Sequence, residues 1–346
     1  MELVASWPAE SSLSQVGDYA RRVEALGFDV MHVPETTHDP FTVCALALDA
    51  TQTLVLRTSM VVAFPRSPMV TALAAWDLSR FSGGRFQLGI ASQVRGNIVG
   101  RYSAEWSEPV TRLRDYVLAL RAIFAAFQTG EPLSYQGAVY TFDRLQPYFN
   151  PGPLPHQGPS IWTGAVNVQM TTMAGEVADG FVCHPTHSHP RVLRDLTRPA
   201  LLRGAARSGR EDGGPAVVVG PQPIMAASRQ GLEVARENRR ADLAFLYSTP
   251  AYRTQLAAFG LDDLGERLSA MAAADQWEHL DRHLNDEVID MLVPVGTYAE
   301  LPGVLEEWYS GTCAGIGLSV PAEPTDPAED VALRDLVEAC RSIPVG

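Results

Sequence analysis

Apolar and polar positions along the chain follow two alternating periods. Short apolar runs suit strands buried on both faces. Between them lie longer stretches with apolar residues every three or four positions, as in amphipathic helices. Leu3–Ser6 is the first run, and the helix after it aligns Val16, Tyr19, Ala20, Val23 and Leu26 before Gly27. Asp29–Val33 is the second; it closes on Pro34-Glu35-Thr36-Thr37-His38, and Asp39-Pro40 caps a helix reaching about Ala50. Thr58–Phe64 is the third. Ser67-Pro68 then starts a helix through Val70, Leu73, Ala74 and Leu78, which ends at Gly83-Gly84. Arg85–Ala91 is the fourth, so strand, helix and strand form a βαβ unit.

After Ser92 the rhythm breaks. Residues 92 to 110 are loop-like, with Tyr102 and Trp106 in them. A long amphipathic helix follows, with Leu113, Tyr116, Leu120, Ile123 and Phe127 on one face, and Leu133–Tyr148 alternates like a small hairpin. A Pro/Gly-rich segment, Asn150–Pro159, returns the chain to the pattern. Ser160–Thr163, Asp179–Cys183, Ala216–Ala226 and Ala314–Val320 are the fifth to eighth runs, with several helices over residues 229 to 287. Asp326-Pro327 with Glu329 opens the last helix as a capping box. The pattern predicts an α/β fold: a single (β/α)8 TIM barrel over residues 1–346, with insertions after strand 4 and between strands 7 and 8.

Composition narrows the function classes. A formal charge of −13 argues against nucleic acid as a partner, and it makes the placement of each arginine informative for any anionic ligand. No apolar run approaches the length of a membrane span, and no basic leader precedes the first strand. Cys44, Cys183, Cys313 and Cys340 are isolated in apolar contexts, as expected of buried thiols in a reducing, cytoplasmic compartment. His184, His187 and His189 lack the carboxylates of a metal set, so no metal is expected. His279 and His283 lack the glutamate of an HExxH motif. No G-x-S-x-G elbow, P-loop or dinucleotide fingerprint is present.

Barrel sites form at the carboxyl ends of strands. Arg66, Arg95 and Arg101 follow such ends and are expected near one another at the mouth; the ordinary alternative for each is a solvated loop charge. Glu35, Thr36 and His38 follow the second strand. An ion pair for Glu35 and a place beside the Asp39 cap for His38 are their structural alternatives. Gly164-Ala165-Val166-Asn167 is a small-residue strand end before a helix start, where N–H groups and the helix dipole can meet a phosphate.

The stretches AFPRSP, LSRFSGGRFQLGIASQVR, RLRDYVLALRAIF and AGEVADGFVCHP resemble the luciferase-like monooxygenase superfamily. They are most similar to its actinobacterial branch that uses the deazaflavin coenzyme F420, and the resemblance runs from about Leu3 to Pro321. It implies coenzyme F420 at the barrel mouth, with FMN as the alternative. In such relatives the loop holding Glu35, Thr36 and His38 lies by the reactive ring edge. Ser59-Met60 falls where relatives carry a non-proline cis peptide behind the ring, and Ser92, Gln93 and Arg95 belong to the narrower SQVR signature. The 164–167 loop corresponds to the cofactor phosphate site, and His187 to a position where some relatives place a lysine or another phosphate contact.

The resemblance also implies a reaction. Reduced deazaflavin delivers a hydride to an activated C=C, C=N or C=O bond of a small molecule or modified peptide. His38 is the expected proton donor, with Glu35 as its orienting partner or a cofactor contact. An FMN-dependent monooxygenase and a flavin-binding barrel without turnover are the alternatives. Two positions depart from the family pattern: Val94 replaces an acidic group of the sugar-phosphate dehydrogenases, and Arg57 stands where glycine is usual. The alanine- and leucine-rich helices FTVCALALDA and MVTALAAWDL predict a homodimer.

Overall fold

A computed structural model describes residues 1–210, 213–322 and 327–346. Among these, eight parallel strands close into a barrel: β1 (Glu2–Ser6), β2 (Val30–Val33), β3 (Val55–Thr58), β4 (Phe86–Ala91), β5 (Ile161–Thr163), β6 (Gly180–Val182), β7 (Ala216–Val219) and β8 (Gly315–Leu318). The order is β3-β2-β1-β8-β7-β6-β5-β4, and Leu56 opposite Phe86 joins β3 to β4 and closes the ring. Helices wrap the outside, so the protein is a (β/α)8 barrel. One side of each strand packs on the helices in the main core; the other meets inside the barrel, where Val4, Val30, Trp162 and Val218 form a separate buried cluster.

Local chemistry explains the helix boundaries. Asp39 accepts from Thr42 N at the start of helix Pro40–Ala50, and Ser67 accepts from Met69 N ahead of helix Pro68–Phe81. Gly27, Gly83 and Gly84 take the positive φ expected of them after helix ends. The Asp326 cap lies outside the described residues; its helix is described from Pro327 to Arg341.

Four expectations need correction. The third strand begins at Val55, three residues before the expected Thr58, and its run resumes as a short segment at Val61–Val62. Arg57, which reads as a polar interruption, is fully buried inside the barrel. Its Nε donates to Gln87 (2.6 Å), Nη1 to His32 Nε2 (3.0 Å) and Nη2 to Glu2 (3.1 Å), with the guanidinium 3.5 Å above the Trp162 ring. Gly180 makes room for that ring, since a Cβ there would lie 2.1 Å from it. Burial, then the Arg57 charge, holds the His32 imidazole well below its usual pKa, as suits a hydrogen-bond acceptor.

The seventh strand stops at Val219. Pro221 and Pro223 lack N–H donors and Gln222 takes a φ of 50°, so Ile224–Ala226 leaves the barrel and pairs in parallel with Val295–Thr297, a strand not anticipated. Residues 92–110 contain a short helix, Arg95–Gly100, and the expected Leu133–Tyr148 hairpin pairs only Tyr135–Gln136 with Thr141–Phe142. Between β7 and β8 the helices Arg229–Ser248, Thr254–Ala258, Asp262–Ala273 and Asp286–Leu292 gather a second buried cluster around Leu243, Tyr247, Leu256 and Leu268.

Candidate active site

The carboxyl ends of β2 and β3 carry a tight polar clamp. Glu35, with its side chain 6% exposed, accepts from Val62 N (2.8 Å), from Arg66 Nη1 (2.8 and 2.9 Å) and from the Tyr102 hydroxyl (2.8 Å). Arg66 also reaches Asp39 (3.2 Å) and the Val62 carbonyl. Burial first, and then the bond to Glu35, push the Tyr102 phenol upward in pKa. Arg101 donates to the Thr36 carbonyl and lies over the Tyr102 ring. The expected convergence of Arg66 and Arg101 is therefore present, built around Glu35. Arg95 opens the short helix that Arg101 caps, and it is exposed and without an ion pair among the described residues.

His38 turns the other way. Its Nε2 lies 3.1 Å from the Ser11 carbonyl, so the neutral ring carries its proton there and leaves Nδ1 as the basic atom. No hydrogen bond joins His38 to Glu35 among the described residues. The Ser59–Met60 peptide is cis. Ser92 and Gln93 end β4 with local bonds: Ser92 Oγ to the Gln93 carbonyl, and Val94 N to the Gln93 amide oxygen.

Across the mouth, at β5 and β6, the polar groups are less fully matched. Asn167 caps helix Val168–Val177 by accepting from Met170 N (2.9 Å), which leaves the Gly164–Val166 segment leading into the helix start. His187 is buried beside the Val166 main chain, and burial lowers its pKa to about 4. Its Nδ1 is 3.1 Å from Thr186 Oγ1, whereas its Nε2 has no partner; the hydroxyl of Thr163 is likewise buried and unmatched. Thr186 Oγ1 also lies 2.8 Å from His184 Nδ1. A hydroxyl has one proton, so it donates to one ring and accepts from the other, which ties the tautomers of His184 and His187 together.

His184 and His189 also serve packing. His184 stacks on Tyr252 at 4.3 Å, and His189 meets Phe259 and Trp308 edge-on. These contacts attach the late helical segment to the β6 end, and burial lowers both imidazoles to about 4. Among the described residues no group of three potential ligands is arranged to hold a metal, and no helix is long and apolar enough to cross a membrane.

Sequence reasoning missed Tyr102 and Thr186 as site-builders. Tyr102 had only its aromatic character as a signal, and Thr186 only its place between two histidines. The Arg57 cage had a stronger one. Glu2, His32, Arg57 and Gln87 are polar residues in otherwise apolar strands, on positions that share the barrel interior.

Comparison with known proteins gives this geometry a family. Residues 3–313 match the luciferase-like monooxygenase family. The chain is 38% identical over 301 residues to an uncharacterized protein of Mycobacterium tuberculosis, covering 87% of this chain and 88% of that one. It is 24% identical over 315 residues to a 5,10-methylenetetrahydromethanopterin reductase of Archaeoglobus fulgidus, covering 89% of each. The fold is similar to that of the coenzyme F420 dependent tetrahydromethanopterin reductase from Methanopyrus kandleri, with a TM-score of 0.78 at 17% identity over 97% of this chain and 96% of that one. The chain belongs to the luciferase-like monooxygenase family.

Proposed function

We propose that this protein is an F420-dependent oxidoreductase that uses the reduced coenzyme to reduce an activated C=C, C=N or C=O bond. The observation that carries the cofactor site is the unmatched, buried Nε2 of His187 beside the Val166 main chain, next to the start of a ten-residue helix. A buried polar atom without a partner is costly, so a ligand group belongs there. The residues present fit a phosphate-bearing cofactor through helix-start N–H groups, a small-residue loop and the buried, unmatched Thr163 hydroxyl, which can donate; Thr186 N–H makes His184 Nδ1 an acceptor, so the His187 proton lies on Nδ1 and its Nε2 awaits a donor. When bound, reduced deazaflavin supplies a hydride and reacts poorly with oxygen.

The chain's own residues then divide the remaining work. The 164–167 loop with the Thr163 hydroxyl takes the phosphate, His187 Nε2 accepts from a donor group of the cofactor beside it, and Ser59-Met60 with Ser92 and Gln93 are assigned the ring. Proton delivery falls to His38. With Nε2–H anchored on Ser11, its Nδ1 is the atom that takes up and releases the proton. Glu35 acts as a positioning residue that fixes Arg66 and Tyr102. Support for F420 over FMN comes from the AFPRSP and SQVR stretches.

The test is a titration of the purified protein with each cofactor, followed by deazaflavin fluorescence and flavin absorbance. Selective binding of F420, weakened by salt, is expected. Tighter FMN binding, with oxygen consumed on reduction, would move the protein to the monooxygenases. Tight binding without oxidation of the reduced cofactor across a substrate panel would make it a carrier.

A further inference from the structure

The proline-flanked kink that ends β7 also builds a recess beside the barrel mouth. Gln222, between Pro221 and Pro223 at a φ of 50°, turns its side-chain oxygen to Arg239 Nη1 at 3.0 Å. Arg239 belongs to helix Arg229–Ser248. Beside its guanidinium lies a pocket of about 270 Å³, bounded by Ile224 and Met225 of the outer strand pair and by Ser319 and Val320 after β8. Ser319 ties the pocket to the mouth. Ile316 and Leu318 pack in the strand–helix core, so Gly315, Gly317 and Ser319 alternate onto the inner face of β8. Ser319 is exposed, one residue past the strand.

Arg239 is held more loosely than its neighbours. Arg236 and Arg240, on the same helix, meet Asp290, Glu237 and Asp286 at 2.5 to 2.8 Å. Arg239 has Asp242 at 3.3 Å as its one carboxylate among the described residues. The Arg239 side chain is 18% exposed and that of Asp242 62%, so the acid lies at the rim, largely in water. Burial lowers the pKa of the guanidinium, and Asp242 offsets this only in part. The bonds to Gln222 and Asp242 both use Nη1. Nε–H and the two Nη2–H groups have no partner among the described residues.

That open edge has a defined chemistry. Nε–H and Nη2–H of one guanidinium run parallel and match the two oxygens of a carboxylate. Ile224, Met225, Ala235 and Val320 give the pocket apolar walls, and the Tyr298 hydroxyl that lines it is already committed to Glu329 (2.9 Å). Its volume equals that of roughly nine waters, room for a carboxylate on a short carbon chain. Asp242 at the rim disfavours a dianion such as a phosphate ester, which leaves a monoanionic acid as the better match.

We propose that this pocket holds a carboxylate of the reducible substrate, with the Nε/Nη2 edge of Arg239 as its anchor. The proposal rests on the oxidoreductase reading above and adds a substrate class: a small acid whose activated double bond lies a few atoms from the carboxylate, toward the inner face that Ser319 marks. Net charge −13 opposes the approach of any acid, so a guanidinium short of countercharge is what admits one.

The test compares trans-4-oxo-2-pentenoate, an enone acid, with its primary amide, which keeps the shape and removes the charge. Calorimetric titration of the purified protein, with and without F420, reads the pocket; oxidation of reduced F420 by the same compounds reads the reaction. The acid should bind roughly 10–100-fold tighter than the amide, and Arg239→Gln should abolish the preference by weakening the acid alone. Asp242→Asn, at an exposed side chain, should tighten the acid roughly 2–5-fold and leave the amide unchanged. Equal binding of acid and amide, no binding of the acid, or a preference that survives in Arg239→Gln would overturn the pocket. Should Arg239→Gln fail to fold, unchanged or weaker acid binding in Asp242→Asn would equally overturn it. An acid preference lost in Arg239→Gln, with no oxidation of reduced F420, upholds the acid site and counts against the reductase reading. Oxidation by acid and amide alike, without that preference, upholds the reductase reading and overturns the site.

Discussion

The two rims of the barrel mouth satisfy their polar groups in opposite ways. At β2 and β3 the Glu35 carboxylate has donors from three residues, and Arg66 bridges it to Asp39. At β5 and β6 the Nε2 of His187 and the hydroxyl of Thr163 are buried with nothing to bond. A closed network holds a shape; unmatched buried atoms call for a ligand. The contrast makes Glu35 a scaffold for Arg66 and Tyr102 instead of the expected orienting partner of His38.

The sharpest way to break this division is His38→Ala. It should slow turnover by roughly 10²–10⁴-fold with deazaflavin affinity nearly unchanged. Turnover within a few-fold of the parent would return proton delivery to water, Glu35 or the substrate. Glu35→Ala should act on stability, costing about 3–5 kcal/mol in denaturant unfolding, because it leaves the mostly buried Arg66 without its main partner. Lost turnover with unchanged stability would make Glu35 a chemical group after all. On the opposite rim, His187→Ala should weaken cofactor binding roughly 3–10-fold and cost about 1–2 kcal/mol of stability, less than Glu35→Ala, since it removes a buried ring and a single bond to Thr186. The reverse pattern would erase the distinction between the rims.

Acid should loosen the β6 side, as it should the buried His32 contact inside the barrel. Burial holds His184, His187 and His189 at about 4, below the ordinary value of an unfolded histidine, near 6.5. Between those values the unfolded chain binds more protons, so stability present above about pH 6.5 is lost as the pH falls toward 4. Thermal melts from pH 7 to 4.5 should show a declining midpoint that flattens in His184→Phe. An unchanged slope in that variant would place the acid sensitivity elsewhere. The smallest effect concerns assembly. Leu46, Val70, Leu73 and Phe81 are exposed on the two helices after β2 and β3. If they form a dimer face, light scattering gives twice the chain mass, and Phe81→Glu with Val70→Glu returns it to one chain.

Much of the fold was legible because buried parallel strands are nearly all apolar and their helices carry clear caps. Asp39, Ser67 and Asn167 all cap helices, the first two announced by a following proline. Legibility failed where a polar residue was buried or an apolar run was broken by prolines. Arg57 hid the start of β3, and Pro221 and Pro223 ended β7 inside a run that reads as one strand. The site was legible as a list of strand ends. Its division into a satisfied and an unsatisfied rim was not, because it depends on Tyr102 and Thr186, which reach their partners only across loops.

The Arg57 cage bears on how the barrel finds its alignment. Through Glu2, His32, Gln87 and Trp162 it joins β1, β2, β3, β4 and β5 at one point. A slip of β3 by a single residue would turn the guanidinium outward into the apolar helix layer, far from any carboxylate. Misaligned closures of the barrel thus carry an unpaired buried charge, which the native arrangement alone resolves. Strand pairing and charge pairing are thereby coupled across the first five strands.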